Sequence, residues 1–249
     1  MFCSRAVCRA AHSGMAGLTS GRLAVDLGCN RFMLREWLDL VVLDRQGLEF
    51  SKGFCMKKVT SDVMVQDTLR WLERAVIGLN LCPFAKSVYV KGQVHCVVSD
   101  AENLETLRDD LLRELHDLVS LDASVRDTTV LVIQNLLHDF YDYNDFLNVA
   151  EDCLLSLDLD GVIQIASFHP QYQFAGTDED DITNFTNRSP YPTLHLIREA
   201  SIDRAVAAFP DAEDIFEANM ATLNRLGLQG WQDLNVGPSL PQNDNDEKK

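Results

Sequence analysis

A short, almost wholly apolar run between two amphipathic helices constrains the fold of this chain most. The run is Thr128–Gln134, TTVLVIQ, and its length and β-branched residues predict a strand buried on both faces. Leucines recur at three- and four-residue steps over about 103–121, and a second helical pattern covers about 141–157. A buried strand with a helix on either side predicts an α/β architecture.

Further elements extend this pattern in both directions. Alternating residues predict a strand within 90–99, and an apolar run predicts another over 162–168. A first helix is predicted over 62–81, and two helices follow residue 200. We therefore predict an α/β fold with a small, largely parallel three-stranded sheet, flanking helices and a C-terminal helical pair. Open sheets of this kind bind ligands at the carboxyl ends of their strands, so we expect the site there.

The chain divides into three parts by composition. Residues 1–25 contain three arginines and no acid, which resembles a mitochondrial transit peptide. The interpretation that we favour is that translation starts at Met56, so that 1–55 is a poorly ordered extension. Residues 56–236 form a single α/β domain in this scheme, and 237–249 form a disordered polar and acidic tail. The expected location is the cytoplasm, or the mitochondrial matrix if the transit peptide is genuine.

The charge of the predicted domain excludes two kinds of partner. Residues 56–236 carry 13 Lys and Arg against 30 Asp and Glu, a net charge of −17. Such a domain repels nucleic acid and anionic membrane surfaces. No apolar run approaches the roughly 18 residues of a membrane span. The seven cysteines form no CxxC pair, which favours a reducing compartment.

The segment 167–199, called the central segment below, is the predicted carrier of the site. It holds two histidines, two arginines, three prolines, five aromatic rings and four consecutive acids, with little helical or strand periodicity. A long irregular segment of this composition inside a compact domain is typical of a functional loop.

His169 is the first candidate catalytic residue. It follows the predicted third strand directly and precedes Pro170, which restricts His169 to extended backbone. A histidine at a strand exit suits acid–base or metal chemistry. The alternative is a histidine whose nitrogens are satisfied by hydrogen bonds within the loop.

A second group of candidates follows Pro192. If a helix starts there, His195 lies three residues from Arg198 and four from Glu199, so the three share one helix face. This spacing suits acid–base chemistry by His195 and anion binding by Arg198. It equally suits an ion-pair cluster on the surface.

Four other residues complete the candidate site. Arg188 offers a fork of donors for a carboxylate or phosphate, or pairs instead with the acids at 178–181. Cys82, at the end of the first predicted helix, is a nucleophile, a metal ligand or a packed small hydrophobe. Lys86 is the nearby cation that would assist its thiolate and bind substrate, and Tyr172 is a predicted pocket wall and substrate contact.

Several familiar motifs do not occur in the sequence. There is no GxGxxG, GxxxxGK[ST], HExxH or GxSxG pattern and no set of kinase motifs. Their absence counts against the common nucleotide-binding and hydrolase classes. The cofactor is therefore left unknown.

Four stretches together resemble a bacterial family named domain of unknown function 1415, over about residues 65–232. They are WLERAVIGLNLCPFAK (71–86), YNDFL (143–147), IASFHPQYQFAG (165–176) and TNFTNRSPYPTLHLIREASIDRAV (183–206). The resemblance implies a single intracellular domain that begins shortly before residue 71. It implies no activity and supplies no catalytic residues.

Three functional hypotheses follow. The first is an enzyme or sensor for a small anionic molecule, with histidine acid–base groups and arginines that bind the anion. The second is a zinc- or iron-dependent hydrolase or oxidoreductase with His169, His195 and Glu199 as ligands. The third is a non-enzymatic interaction module that presents the aromatic rings of the central segment to a protein partner. We further expect Cys82 or Lys86 to share one cavity with His169 and with Arg188 or Arg198.

Overall fold

The computed structural model of the chain describes residues 60–208 and 214–239. The expectations for residues 1–55 lie outside the described residues. Those for most of the tail, residues 240–249, do so too.

Helices and strands alternate through most of the described chain, as the α/β prediction requires. In chain order they are α1 Ser61–Trp71, a π-helical turn Leu72–Ile77, α2 Ala85–Val90, β1 Val94–Ser99, α3 Leu104–Ser120, β2 Thr128–Ile133, α4 Phe140–Ser156, β3 Ile163–Phe168, a 3₁₀ turn Ile182–Thr186, β4 Thr193–Arg198, α5 Glu199–Ala208 and α6 Ile215–Asp233.

The sheet has four strands in the order β1-β2-β4-β3. β1 and β2 are parallel, and β4 is antiparallel to both β2 and β3. The three predicted strands therefore point the same way, and β4 lies between two of them in the opposite direction. The prediction of a largely parallel three-stranded sheet is wrong in two respects. The sheet has four strands, and β4 is antiparallel to both of its neighbours. The mixed α/β class is confirmed.

The helix predicted after Pro192 is wrong, because residues 193–198 form β4. The sequence TLHLIR supports two periodicities: Leu194 and Ile197 fit a helix, whereas Leu194 and Leu196 fit a strand with one buried face. In the fold Leu194 and Leu196 are both fully buried, and hydrogen bonding to a strand on each side satisfies the backbone. Pairing with β2 and β3 therefore determines that residues 193–198 form a strand and not a helix.

Helices cover both faces of the sheet. On one face the leucine stripe of α3 and the inner face of α4 pack against alternate residues of β2 and β4, including Leu131 and Leu196. On the other face α1, the π-helical turn and α6 enclose a core that contains Trp71, Phe168 and Trp231. α5 and α6 are the predicted C-terminal helical pair. A positive φ of 65° at Gly227 breaks α6 into two segments.

A buried carboxylate joins the first helix to residues 234–239. Asp67 is 0% exposed, and its oxygens accept hydrogen bonds from Arg70, from the Tyr191 hydroxyl and from both the N–H and the hydroxyl of Ser239. Arg70 and Arg74 also donate to carbonyls of residues 234–237. Burial alone raises the pKa of Asp67, but these hydrogen bonds outweigh it and the pKa lies below its usual value.

We expect Asp67→Asn to lower the free energy of unfolding by about 3 kcal/mol, because an amide cannot accept the same buried charge-assisted hydrogen bonds. The pKa of Asp67 is lowered in the folded state. Its contribution is therefore present above the unfolded pKa and is lost as the pH falls through the folded one. Urea unfolding at pH 7 measures the change. Asp62→Asn, at an exposed position of the same helix, is the control and should shift the free energy by less than about 0.5 kcal/mol.

Candidate functional site

A cavity of about 520 Å³ lies beside the sheet at the amino-terminal ends of β1 and β2. The turn before α2, α2 itself, the end of β4 and the first turns of α5 complete its walls. Most of the wall is apolar, and its volume lies within the range of small-molecule sites, about 300–1,000 Å³. The apolar wall residues are Leu72, Pro83, Phe84, Ala85, Val88, Val94, Ala123, Val130, Ile197, Ile202 and Ala205.

Two hydrogen-bonded residues from neighbouring strands, Thr128 and His195, form the polar part of the cavity floor. Thr128 Oγ1 lies 2.6 Å from His195 Nε2 and donates its hydrogen to the Leu196 carbonyl at 2.6 Å. A hydroxyl has only one hydrogen, so Nε2 must supply the proton of its own contact with Thr128. The neutral ring therefore carries its proton on Nε2 and its lone pair on Nδ1.

Burial holds this imidazole neutral. Desolvation lowers the pKa of His195 from 6.5 to about 4. The ring is nevertheless only partly buried, and it lines the cavity. The ring is therefore uncharged at neutral pH. A bound anion would raise its pKa toward the range useful for acid–base chemistry.

The mouth of the cavity carries a chain of three polar residues. Arg204 Nη2 donates to Ser201 Oγ at 2.9 Å, and Ser201 Oγ donates to Asp127 Oδ1 at 2.6 Å. Asp127 is buried, whereas Arg204 and Lys91, a second cation in the wall, are exposed. With His195 neutral, the wall therefore carries two positive charges and one negative charge, in a domain whose net charge is strongly negative.

Cys82 also lines the cavity. Its thiol is buried. The π-helical turn ends at Ile77, and Cys82 lies in the turn that leads into α2 rather than at a helix end. The first helical stretch therefore ends four residues before the predicted end at residue 81.

The cavity lies at the end of the sheet opposite to the one predicted. Thr128 begins β2 and Val94 begins β1, whereas the expectation placed the site at the carboxyl ends of these strands. The antiparallel β4 accounts for the difference, because its last residues, including Ile197, and the α5 that follows reach this end. The prediction assumed that the strands of the sheet are largely parallel and are joined through helices.

His169 is not part of this cavity. It is 0% exposed; Nε2 donates to the Leu137 carbonyl at 3.0 Å, and Nδ1 accepts from the Gln171 N–H at 3.0 Å. Its ring packs against Phe140 and Tyr143 of α4, on the sheet face opposite to Cys82. The predicted common cavity of Cys82 and His169 is therefore wrong. Both ring nitrogens form hydrogen bonds within the protein, which agrees with the alternative interpretation that was given for His169.

The two predicted anion-binding arginines bond to backbone carbonyls instead. Arg188 donates to Tyr172 and Glu179 carbonyls and stacks on the Phe185 ring. Arg198 lies on the α3 side of β4 and donates to carbonyls at the end of α3 and beyond it. Neither side chain lines the cavity, so the structure does not bring them together with His195.

The remaining candidates are also dispersed. Lys86 is exposed on α2 but is absent from the cavity wall, and Tyr172 packs against Phe140 and Phe174. In β4, His195 and Arg198 point to opposite faces, so the shared helix face with Glu199 does not exist. Of the predicted site residues, Cys82 and His195 meet in the cavity.

The proposed metal ligands do not assemble. Among the described residues, no group of three or more His, Cys, Asp and Glu side chains is placed to hold a metal ion. His169 and His195 lie on different faces of the sheet, which accounts for the failure of this set. Within the same residues, no helix has the length and apolar character needed to cross a membrane.

The aromatic rings of the central segment face inward. Phe168 is buried, Phe185 packs against Trp231 at 5.1 Å, and the Tyr191 hydroxyl donates to Asp67. Tyr172 and Phe174 pack against each other at 5.0 Å. These five rings therefore form no exposed aromatic surface of the kind that the interaction-module hypothesis requires.

Eight polar residues of the wall were not identified from the sequence: Ser87, Lys91, Gln93, Ser124, Asp127, Thr128, Ser201 and Arg204. Thr128 belongs to the run that predicted a buried strand, and a threonine there suits the strand equally well. The pairing of β4 with β2 brings Thr128 and Ser201 to the same cavity, and no local sequence pattern predicts that pairing.

A family model described as a protein of unknown function (DUF1415) matches residues 63–233. No curated protein and no solved structure matches the chain.

We expect His195 to make stability depend on pH. Its folded pKa is about 4 against 6.5, so between these values the unfolded state binds more protons and the free energy of unfolding falls as the pH drops. His195→Gln should reduce the loss of stability between pH 7 and pH 5, measured by urea unfolding. His116→Gln, at an exposed position, is the control. Equal losses in wild type and His195→Gln would contradict the assignment.

We expect His169→Ala to lower the free energy of unfolding by about 3 kcal/mol, because it removes two buried hydrogen bonds and the contacts with Phe140 and Tyr143. Leu137, whose carbonyl accepts from His169, has a positive φ of 57°. Chemical denaturation measures the change, and His138→Ala, at an exposed neighbouring position, is the control. A loss below about 1 kcal/mol would show that His169 is not structural.

Proposed function

The chain belongs to the family described as protein of unknown function (DUF1415), and we propose that it is an enzyme or sensor whose cavity binds a small anionic molecule. In this proposal His195 is the acid–base group, and Lys91 and Arg204 attract the anion. Lys91 and Arg204 thus replace Arg188 and Arg198, which were the anion-binding residues predicted from the sequence.

The observation that carries the proposal is the neutral His195 ring on the floor of a cavity of about 520 Å³. A mostly apolar cavity with a few convergent polar groups is the usual form of a small-molecule site. A histidine with a strongly displaced pKa in such a cavity supports a functional role. Thr128 supports this role further, because its hydrogen bond sets the tautomer.

Electrostatics supports an anionic ligand. The wall contains Lys91 and Arg204 but only one carboxylate, that of Asp127, and Asp127 is engaged by Ser201. The rest of the domain is strongly acidic, so a large polyanion is repelled while a small anion reaches these two cations. In this proposal the cavity therefore selects small anions over large polyanions.

Cys82 adds a second group for chemistry in the same space. Its thiol and the His195 imidazole line one cavity, an arrangement in which a histidine can accept the proton of a thiol during nucleophilic attack. We include this role for Cys82 in the proposal. Cys82→Ser should retain ligand binding and abolish any turnover that proceeds through the thiol.

Filling the cavity is the direct test. We expect small anionic metabolites that raise the thermal midpoint of the wild type to lose this effect with Ala205→Trp, because the indole occupies the binding space. Ala207→Trp, at an exposed position of the same helix, is the matched control and should respond like the wild type. Ligands that stabilise Ala205→Trp as strongly as the wild type would place binding elsewhere.

A further inference from the structure

We propose that two copies of this chain associate through the outer edge of β1 and so form one continuous sheet across a two-fold axis. Three observations support this: the unpaired edge of the strand, the absence of charge within it, and the complementary residues on either side of it. The inference concerns association of the chain with itself and needs no ligand in the cavity.

The backbone of β1 has hydrogen-bonding groups that point away from the sheet. β1 is the first strand in the order and, among the described residues, it pairs with β2 alone. The Gln93 and Ser99 carbonyls accept hydrogen bonds from N–H groups at the start of β2 and just after its end. Backbone groups alternate in direction along a strand, so the odd-numbered residues of β1 bond to β2. The residues whose N–H and C=O point outward are Val94, Cys96 and Val98.

The two edges of the sheet are not equally open. In β3, at the opposite edge, four of six residues are buried, and the Ser167 carbonyl accepts a hydrogen bond from the Asn187 side chain. In β1 one of six residues is buried. A charged residue, a proline or a bulge commonly prevents an edge from pairing with another strand. The sequence of β1, VHCVVS, has neither charge nor proline, and desolvation lowers the pKa of His95, which keeps its ring neutral.

An antiparallel arrangement of two copies uses all the outward groups of β1 in one register. Two residues that face each other in such a pair exchange both of their hydrogen bonds. If Cys96 faces Cys96 of the second copy, Val94 faces Val98 in both directions, and every outward group has a partner. A two-fold axis then passes between the two Cys96 residues, which is the commonest symmetry of homodimers.

Charged residues beside β1 are complementary in this register. Lys91 precedes the strand, Asp100 and Glu102 follow it, and all three are exposed. Positions 91 and 101 are equally far from Cys96, so Lys91 of one copy approaches the segment of the other that bears Asp100 and Glu102. Symmetry repeats this contact at the other end. The domain is otherwise strongly acidic and repels a second copy, so the local attraction selects this pairing.

Exposed apolar residues lie at the same two ends of the strand. Val90, before β1, is 76% exposed, and Leu104, the first residue of α3, is 51% exposed. The antiparallel arrangement brings Val90 of one copy to the end of the strand at which Leu104 of the other lies. Burial of these side chains therefore adds to the strand pairing.

Sedimentation equilibrium of the full chain without ligand measures the association. We expect a mass of two chains that falls to one on dilution. Lys91→Glu, at a residue that also lines the cavity, places like charges together and should raise the dissociation constant about tenfold. Asp100→Lys with Glu102→Lys, outside the cavity wall, should do the same. Asp160→Lys with Glu217→Lys, at exposed positions on other elements, is the matched control and should not weaken the dimer.

Mixing the two charge variants gives a sharper result. Each variant alone has like charges at both contacts, whereas one copy of each restores opposite charges at both. The mixture should therefore form dimers with about the dissociation constant of the wild type. Thermal unfolding verifies that each variant is folded.

Hydrogen exchange locates the interface on β1. At about ten times the dissociation constant roughly a fifth of the chains are monomers, so the N–H groups of Cys96 and Val98 should exchange about fivefold more slowly than in the dilute protein. The N–H of Val97 bonds to β2 within one chain and is the internal control, because its exchange should not depend on concentration.

Three results would overturn the inference. The first is a one-chain mass at about 1 mM protein, the weak end of specific association. The second is a dimer that neither charge variant weakens. The third is exchange at Cys96 and Val98 that is independent of concentration, because a different surface or a segment of the same chain then accounts for it. None of these results affects the proposed function, which is tested separately by filling the cavity.

Discussion

The insertion of β4 between β2 and β3 is the constraint on which the rest of the structure depends. It joins β3 to the β1–β2 pair, and its two faces pack against different parts of the protein. Leu194 and Leu196 pack into the core under α3 and α4, while His195 and Ile197 face the cavity. The register with β2 places Thr128 beside His195, so the hydrogen bond that sets the imidazole tautomer is a product of strand pairing. Loss of this register by one residue would exchange core and cavity residues.

Elements with one consistent periodicity could be predicted from the sequence, whereas a segment that fits two periodicities could not. The leucine stripe of α3 and the apolar run of β2 each have one consistent periodicity, and both elements were found within one or two residues of the prediction. β4 has six residues and satisfies both helical and strand periodicities. For such a segment the choice depends on its neighbours in space, which a local pattern does not contain.

The candidate site shows the same limit. Cys82 and His195 were identified because their chemistry is unusual wherever they occur, and they do line the cavity. His169 had equal chemical promise, but its two nitrogens are used by the Leu137 carbonyl and the Gln171 N–H. Ser201 and Thr128 are common residue types in common settings. Their importance arises only from the other side chains that the fold places around them.

The hydrogen bonds between Asp67 and Ser239 determine when the first described helix can dock during synthesis of the protein. Asp67 is in the first described helix, yet two of its hydrogen bonds come from Ser239, 172 positions later. While the ribosome is still adding residues, this carboxylate has no complete set of partners and the helix that bears it cannot settle in a dry core. Final docking of that helix must therefore wait until the whole stretch has left the exit tunnel. The first helix that the structure describes is therefore among the last of the described elements to be fixed.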